Sequence, residues 1–148
     1  MLKTLTRVGT QAFNKNLFSF SRNYCTRYTT DHEWVNNIGP KKYKLGITDF
    51  AQKQMGDIVY IELPKIGDSF EKGGEMGTIE SVKAVSEYYI PIDGKITSAN
   101  DKITEEPEIL NEDPYGEGWL VEFESDQSGD FSELMSKDQY DKYIKDQN

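Results

Sequence analysis

A β-rich domain with short strands and small helices at its margins is what the sequence predicts, on three observations. Gly, Pro and Asn punctuate the chain at short intervals. β-Branched and aromatic runs lie between them. Several of those runs alternate apolar and polar residues at the period of a half-buried strand. In 148 residues this supports one domain, or one domain and a tail.

Tyr43, Leu45 and Ile47 alternate with Lys42, Lys44 and Gly46, which predicts a strand with one face in the core. Asp49 to Met55 holds good helix formers and ends at Gly56, so one or two helical turns are expected there. Ile58 to Leu63 reads as a strand halted by Pro64. Met76 to Val82 and Val85 to Ile90 are two more strand-like runs, joined at Lys83-Ala84. Gly94 to Ala99 follows a turn at Pro91-Ile92-Asp93-Gly94. Trp119, Val121 and Phe123 alternate with Leu120, Glu122 and Glu124 in a last strand. Asp130 and Glu133, then Ser136 and Gln139, have capping-box spacing. On a helical wheel Phe131, Leu134 and Met135 do not share a face with Tyr140, Tyr143 and Ile144. Two short C-terminal helices fit that pattern better than one.

Composition narrows the function. Charged residues make up 29% and apolar residues 36%, with seven Phe, nine Tyr and two Trp. That is too aromatic for a disordered chain and too charged for a membrane protein. No apolar run approaches the roughly 18 residues of a membrane-spanning helix. The net charge of -9 disfavours nucleic acid as a partner, because a phosphate backbone needs a basic face.

The charge is unevenly spread. Lys3, Arg7, Lys15, Arg22 and Arg27 occupy the first 30 residues with no acid among them, and the remainder is strongly acidic. On a wheel Leu2, Leu5, Ala12, Phe13 and Phe20 face away from Lys3, Arg7, Lys15 and Arg22; Phe18 breaks the pattern. An Arg-bearing amphipathic start without acids predicts a mitochondrial presequence over residues 1–24, cut after Tyr24, before a carrier domain over residues 25–148. The alternative is a disordered basic tail. A secretory signal would have an uninterrupted apolar centre. If the leader does no structural work, a chain beginning near Tyr28 should melt like the full one.

Catalytic material is sparse. Cys25 is the one cysteine and His32 the one histidine, so no disulfide within the chain and no cysteine-based metal cluster is possible. His32-Glu33-Trp34 reads as an imidazole packed on an indole at a strand end, with no second His or Cys to complete a metal site. The glycines at 56, 67, 73, 74, 77, 94, 116 and 118 match no phosphate-binding pattern and read as turns. Glu105-Glu106 and Glu122-Glu124 read as solvated surface. Lys83 stands out: two strand-like runs meet at it, with Glu80 three residues before and Glu87 four after. Its amine is either that of a solvated turn lysine or one displayed for modification. These residues point to a carrier or binding module rather than an enzyme.

Ile79-Glu80-Ser81-Val82-Lys83-Ala84-Val85-Ser86 resembles the lipoyl-attachment segment of the glycine cleavage system H-protein family. His32-Glu33-Trp34-Val35 is similar to that family's opening strand. Gly46-Ile47-Thr48-Asp49-Phe50-Ala51-Gln52, then Gly56-Asp57-Ile58-Val59-Tyr60 with Leu63-Pro64, resemble its next block. Pro91-Ile92-Asp93-Gly94-Lys95-Ile96 and Asn100 resemble the return from the lipoyl hairpin. Pro107, Leu110-Asn111, Pro114-Tyr115 and Gly118-Trp119-Leu120 resemble the late block. Five blocks in order over about 90 residues are far more specific than one motif.

The resemblance implies a barrel-sandwich hybrid, two small antiparallel sheets with the lysine on a hairpin tip. It implies lipoate bound covalently to Lys83 (as N6-lipoyllysine), with Glu80 and Ser81 in the segment that lipoyl-attaching enzymes recognise. It further implies a shuttle: an aminomethyl group taken from a pyridoxal-phosphate glycine decarboxylase (the P protein) with loss of CO2, then delivered to a tetrahydrofolate-dependent aminomethyltransferase (the T protein). A flavin dihydrolipoamide dehydrogenase (the L protein) reoxidises the arm. The expected setting is the mitochondrial matrix and the expected state a monomer, itself no catalyst. In the family the loaded arm folds back into a cleft near the segment matching His32 and Glu33, and Glu33 is the matching carboxylate for the cargo amine. Asp31 departs from the family's usual Ser or Thr, and Lys-Ala-Val from its usual Lys-Ala-Ala or Lys-Ala-Thr. An acidic surface favours encounter with basic docking faces. Two other readings remain: an H-like lipoyl donor or scaffold, and a free lipoyl or biotinyl carrier domain. Against the last, Val82 and Ala84 stand where biotinyl domains carry methionines, and no Asp precedes Lys83.

Overall fold

The computed structural model describes residues 25–147. Nine strands and five helices form among the described residues. The strands are β1 (Thr26–Tyr28), β2 (Glu33–Gly39), β3 (Lys42–Ile47), β4 (Ile58–Ile61), β5 (Ser69–Phe70), β6 (Glu75–Ser81), β7 (Val85–Tyr89), β8 (Gly94–Ala99) and β9 (Val121–Glu124). The helices are α1 (Asp49–Met55), α2 (Lys102–Glu105), α3 (Ile109–Glu112), α4 (Ser128–Ser132) and α5 (Lys137–Gln147). A six-stranded sheet has the order β1-β2-β3-β9-β8-β5 and a three-stranded sheet the order β4-β6-β7. Every pair is antiparallel. The two sheets expected from the resemblance are present, and they are unequal in size.

Alternation set the inner faces. In β3, Tyr43, Leu45 and Ile47 are buried, and they pair across to β2 and β9 through Val35↔Leu45 and Tyr43↔Phe123. The core runs between the sheets, with Ile61 of β4, Ile79 of β6 and Tyr88 of β7 against Leu45, Ile96 and Phe123. Each such aliphatic or aromatic side chain contributes about 1.5–3 kcal/mol on burial. A second cluster of Tyr28, Trp34 and Tyr140, joined by Trp119, Met135, Tyr143 and Ile144, fastens α5 to the body.

Helix α1 spans the predicted residues. Thr48 caps it, accepting from Ala51 N–H, and Gly56 ends it at φ 81°, a left-handed value suited to glycine. The second capping box forms as predicted: Gln139 N–H donates to Ser136 Oγ (3.3 Å) and Ser136 N–H to Gln139 Oε1 (2.9 Å). The first does not. Asp130 lies inside α4, which starts at Ser128. β4 stops at Ile61, two residues before Leu63.

Two further expectations are corrected. Gly77 and Gly94 lie within β6 and β8, not in turns; a Cβ on Gly77 would collide with the Glu62 carbonyl oxygen, and one on Gly94 with the Phe123 ring. Chain crowding, not turning, demands glycine there. Trp34 does not pack on His32: its indole donates to Pro114 O (2.9 Å) and leaves room only for Gly46 beneath it. A chain beginning at Tyr28 would lack Thr26 and Arg27, which pair with Asn36 and Val35. Tyr28 itself exchanges backbone hydrogen bonds with Met135 (2.9 and 3.0 Å). The expected leader, residues 1–24, lies outside the described residues. Among those, no helix is long and apolar enough to cross a membrane.

Candidate functional site

Strands β6 and β7 end in the turn Val82-Lys83-Ala84. Ser81 builds it. Ser81 N–H donates to Ala84 O (2.8 Å), and Ser81 Oγ accepts from Lys83 N–H (3.3 Å) and Ala84 N–H (3.1 Å). On the other flank Val82 N–H donates to Asp57 O (2.9 Å). The backbone on both sides of Lys83 is therefore tied down while its side chain is exposed. The side chain lies along Gly56: a Cβ there would sit 3.3 Å from Lys83 Cε. No acid lies within salt-bridge distance of Lys83 among the described residues.

Asn111 of α3 holds the platform under that lysine. Its Nδ2 donates to Gly56 O (2.9 Å) and Gln52 Oε1 (2.9 Å), and its Oδ1 accepts from Ile58 N–H (3.0 Å). These bonds bracket Asp57, whose carbonyl holds Val82. The sequence offered no signal of this, because Asn111 lies more than 50 positions from those partners and forms no pattern with them.

Beside the tip lies a cleft of about 330 Å³. Phe50, Met55 and Ile79 give it apolar walls, and Asp31, Glu33 and Glu87 make it acidic. Met55 precedes Gly56, on which the Lys83 chain rests, so the cleft opens next to the Lys83 side chain. Its residues fit a long apolar arm with a cationic end. A larger hollow lined by Lys41, Phe70, Asp93 and Glu124 lies elsewhere and does not border the tip.

The structure brings His32 and Glu33 to this cleft and Ser81 to the tip. Glu80 stands half-buried on β6 opposite Tyr60 and Val85 and does not line the cleft. Glu33 opens β2 but is not a surface carboxylate. It is 2% exposed, and its oxygens accept from Thr29 Oγ1 (2.9 Å) and Tyr89 N–H (2.9 Å). Burial pushes it up to about 7, and those two hydrogen bonds only partly oppose that. His32 packs on Phe50 with centroids 4.7 Å apart and the rings tilted by 39°, and its Nδ1 lies 2.8 Å from the Tyr140 hydroxyl. Burial holds its imidazole below the ordinary value. Glu87, Phe50 and Met55 are cleft residues that sequence reasoning missed; only tertiary folding gathers them. Among the described residues no group of three or more His, Cys, Asp or Glu could hold a metal ion.

The family model described as Glycine cleavage H-protein matches residues 26–147. A probable glycine cleavage system H protein 1, mitochondrial, from Dictyostelium discoideum is 55% identical over 99% of this chain and 99% of its own. A glycine cleavage system H protein from Herpetosiphon aurantiacus is 49% identical over 81% of this chain and 91% of its own. The crystal structure of a glycine cleavage system H protein from Mycobacterium marinum superposes with a TM-score of 0.71 at 33% identity, covering 78% of this chain and 92% of that one. The chain belongs to the glycine cleavage H-protein family, whose members carry lipoate on a lysine, and it serves as a lipoyl carrier of the glycine cleavage system.

Proposed function

We propose that Lys83 is the lysine that bears the lipoate, and that the cleft beside it receives the loaded arm. The observation that carries this is a lysine exposed on a turn whose backbone is pinned on both flanks, by Ser81 and by Asp57. Bound there as an amide, the lipoyl group supplies a reducible disulfide that accepts and releases a one-carbon unit. The chain does the rest. Ser81, Asp57 and Gly56 hold the attachment point still, so partners meet a fixed geometry. Phe50, Met55 and Ile79 exclude water from an arm laid along them. Glu33, with Asp31 and Glu87, favours a cationic amine at the arm's end. Near its midpoint at neutral pH, Glu33 ionises when a cation arrives, since an opposite charge favours the charged form. It then accepts a charge-assisted hydrogen bond worth about 1.5–3 kcal/mol in a shielded site.

We further propose a monomer that visits the P, T and L proteins in turn, acting as their carrier and not as a catalyst. The working compartment is the mitochondrial matrix, reached by way of a leader over residues 1–24. Two facts support the leader. The family match begins at residue 26. The bacterial relative from Listeria monocytogenes covers 79% of this chain but 93% of its own, whereas the mitochondrial one covers 99% of both.

Intact mass and tryptic mapping of the protein isolated from mitochondria test both points. One lipoyl group on Lys83 and a mature chain beginning near Cys25 are expected. An active protein unmodified at Lys83 overturns the assignment. Lys83→Arg should abolish the mass gain and shift stability by no more than about 0.5 kcal/mol, as for an exposed turn.

A further inference from the structure

His32 sits in the cleft wall directly before Glu33, with a left-handed backbone at φ 69°. Its backbone is anchored at both ends: His32 N–H donates to Thr29 O (3.1 Å), and Thr48 N–H donates to His32 O (3.0 Å). The ring is held from a distant element. Tyr140 of α5, 3% exposed and stacked on Tyr28 at 4.8 Å, brings its hydroxyl within 2.8 Å of His32 Nδ1 and 2.7 Å of Thr48 Oγ1.

The direction of this relay follows from where hydrogens can go. Thr48 is fully buried, and its Oγ1 already accepts from Ala51 N–H (3.2 Å). Among the described residues its own hydrogen has one acceptor, the Tyr140 oxygen. The reverse direction would leave a buried hydroxyl hydrogen unpaired. Tyr140 therefore accepts from Thr48 and donates to His32 Nδ1. A ring that accepts at Nδ1 carries its proton on Nε2 and is neutral. A cationic ring would need a hydrogen on Nδ1, facing that of Tyr140. The ionisable groups around the ring are Asp31, Glu33 and Glu87 in the cleft and Tyr140 and Tyr143 on α5.

We propose that Tyr140 is a positioning residue for the arm cleft: through the Thr48–Tyr140–His32 relay it holds His32 neutral, with its proton on Nε2, beside Glu33. A second cation at that place would repel the cationic amine that Glu33 and Glu87 favour. The C-terminal helix, through Tyr140 and through Gln147 at the cleft, is thus part of the carrier's resting site and not only a cap on the body. The inference rests on the cleft reading given above.

Tyr140→Phe keeps the ring and removes the hydroxyl. In the unloaded protein, long-range proton–nitrogen spectra should show His32 as the neutral Nε2–H tautomer, and Tyr140→Phe should convert it to a tautomer mixture. In the loaded protein, Tyr140→Phe should lose the one-carbon unit several-fold faster without the transferase. A wild-type proton on Nδ1, or a wild-type tautomer in Tyr140→Phe, overturns the relay. An altered tautomer with an unchanged loss rate overturns the positioning role. Phe131→Leu, a core change away from the cleft, serves as the stability control: equally fast loss from it at a matched melting temperature overturns the proposal as well. Ala51→Trp fills the cleft. If that leaves the loss rate unchanged, the cleft reading itself fails; if it speeds loss while Tyr140→Phe does not, only the present inference falls.

Discussion

Replacing Glu33 with Gln should change how stability depends on pH. Glu33 is 2% exposed, and burial raises its carboxyl from 4.5 to about 7. The folded chain thus holds the proton more tightly than the unfolded chain does. The stabilisation from the protonated form is fully present below about 4.5, falls as pH rises, and is gone above about 7. A rise of that size, at 1.36 kcal/mol per unit, is worth about 3 kcal/mol. Gln cannot ionise and lacks this dependence. It also loses one acceptor, from either Thr29 or Tyr89, at a cost of about 1 kcal/mol that does not vary with pH. The difference between the two proteins should therefore move by about 3 kcal/mol in favour of Glu33→Gln from pH 4.5 to 8. Urea unfolding of both across that range measures it. Subtracting the curves cancels the other carboxylates. Parallel curves would refute the argument, because they would mean that Glu33 titrates alike folded and unfolded.

Three more outcomes follow from packing. Gly77→Ala should cost about 1–3 kcal/mol, read from denaturant midpoints, because the added Cβ meets the Glu62 carbonyl and pushes β4 from β6. Asn111→Ala removes three hydrogen bonds under the tip and should cost about 2–3 kcal/mol while speeding amide exchange at Val82, which a hydrogen-exchange experiment reads directly. A chain starting at Cys25 should melt with the full chain, whereas one starting at Tyr28 should melt several degrees lower, having lost the pairing of Thr26 and Arg27 with β2.

The sequence carried what depends on local period and local chemistry. Alternation placed Tyr43, Leu45 and Ile47 on the inner face of β3. Helix α1 and its left-handed Gly56 were readable from composition and the terminating glycine. Lys83 was marked by the two strand-like runs meeting at it, and the family by the order of its blocks. What depends on distance in space was not readable. Strands β1 and β5 have three and two residues, too few to display a period, and α2 and α3 each begin without a side-chain cap. Glu33 entered through the resemblance as the matching carboxylate, but its near-complete burial did not. It is buried because Thr29 and Tyr89 supply hydrogen bonds that no linear spacing announces. Gly77 looked like a turn because the Glu62 carbonyl that excludes a side chain belongs to another part of the chain. Attachment chemistry needs one exposed amine on a tight turn, and a short segment can encode that. A cleft needs Phe50, Glu87, Gln147 and Glu33 side by side, and only the packing of two sheets and a terminal helix brings them together.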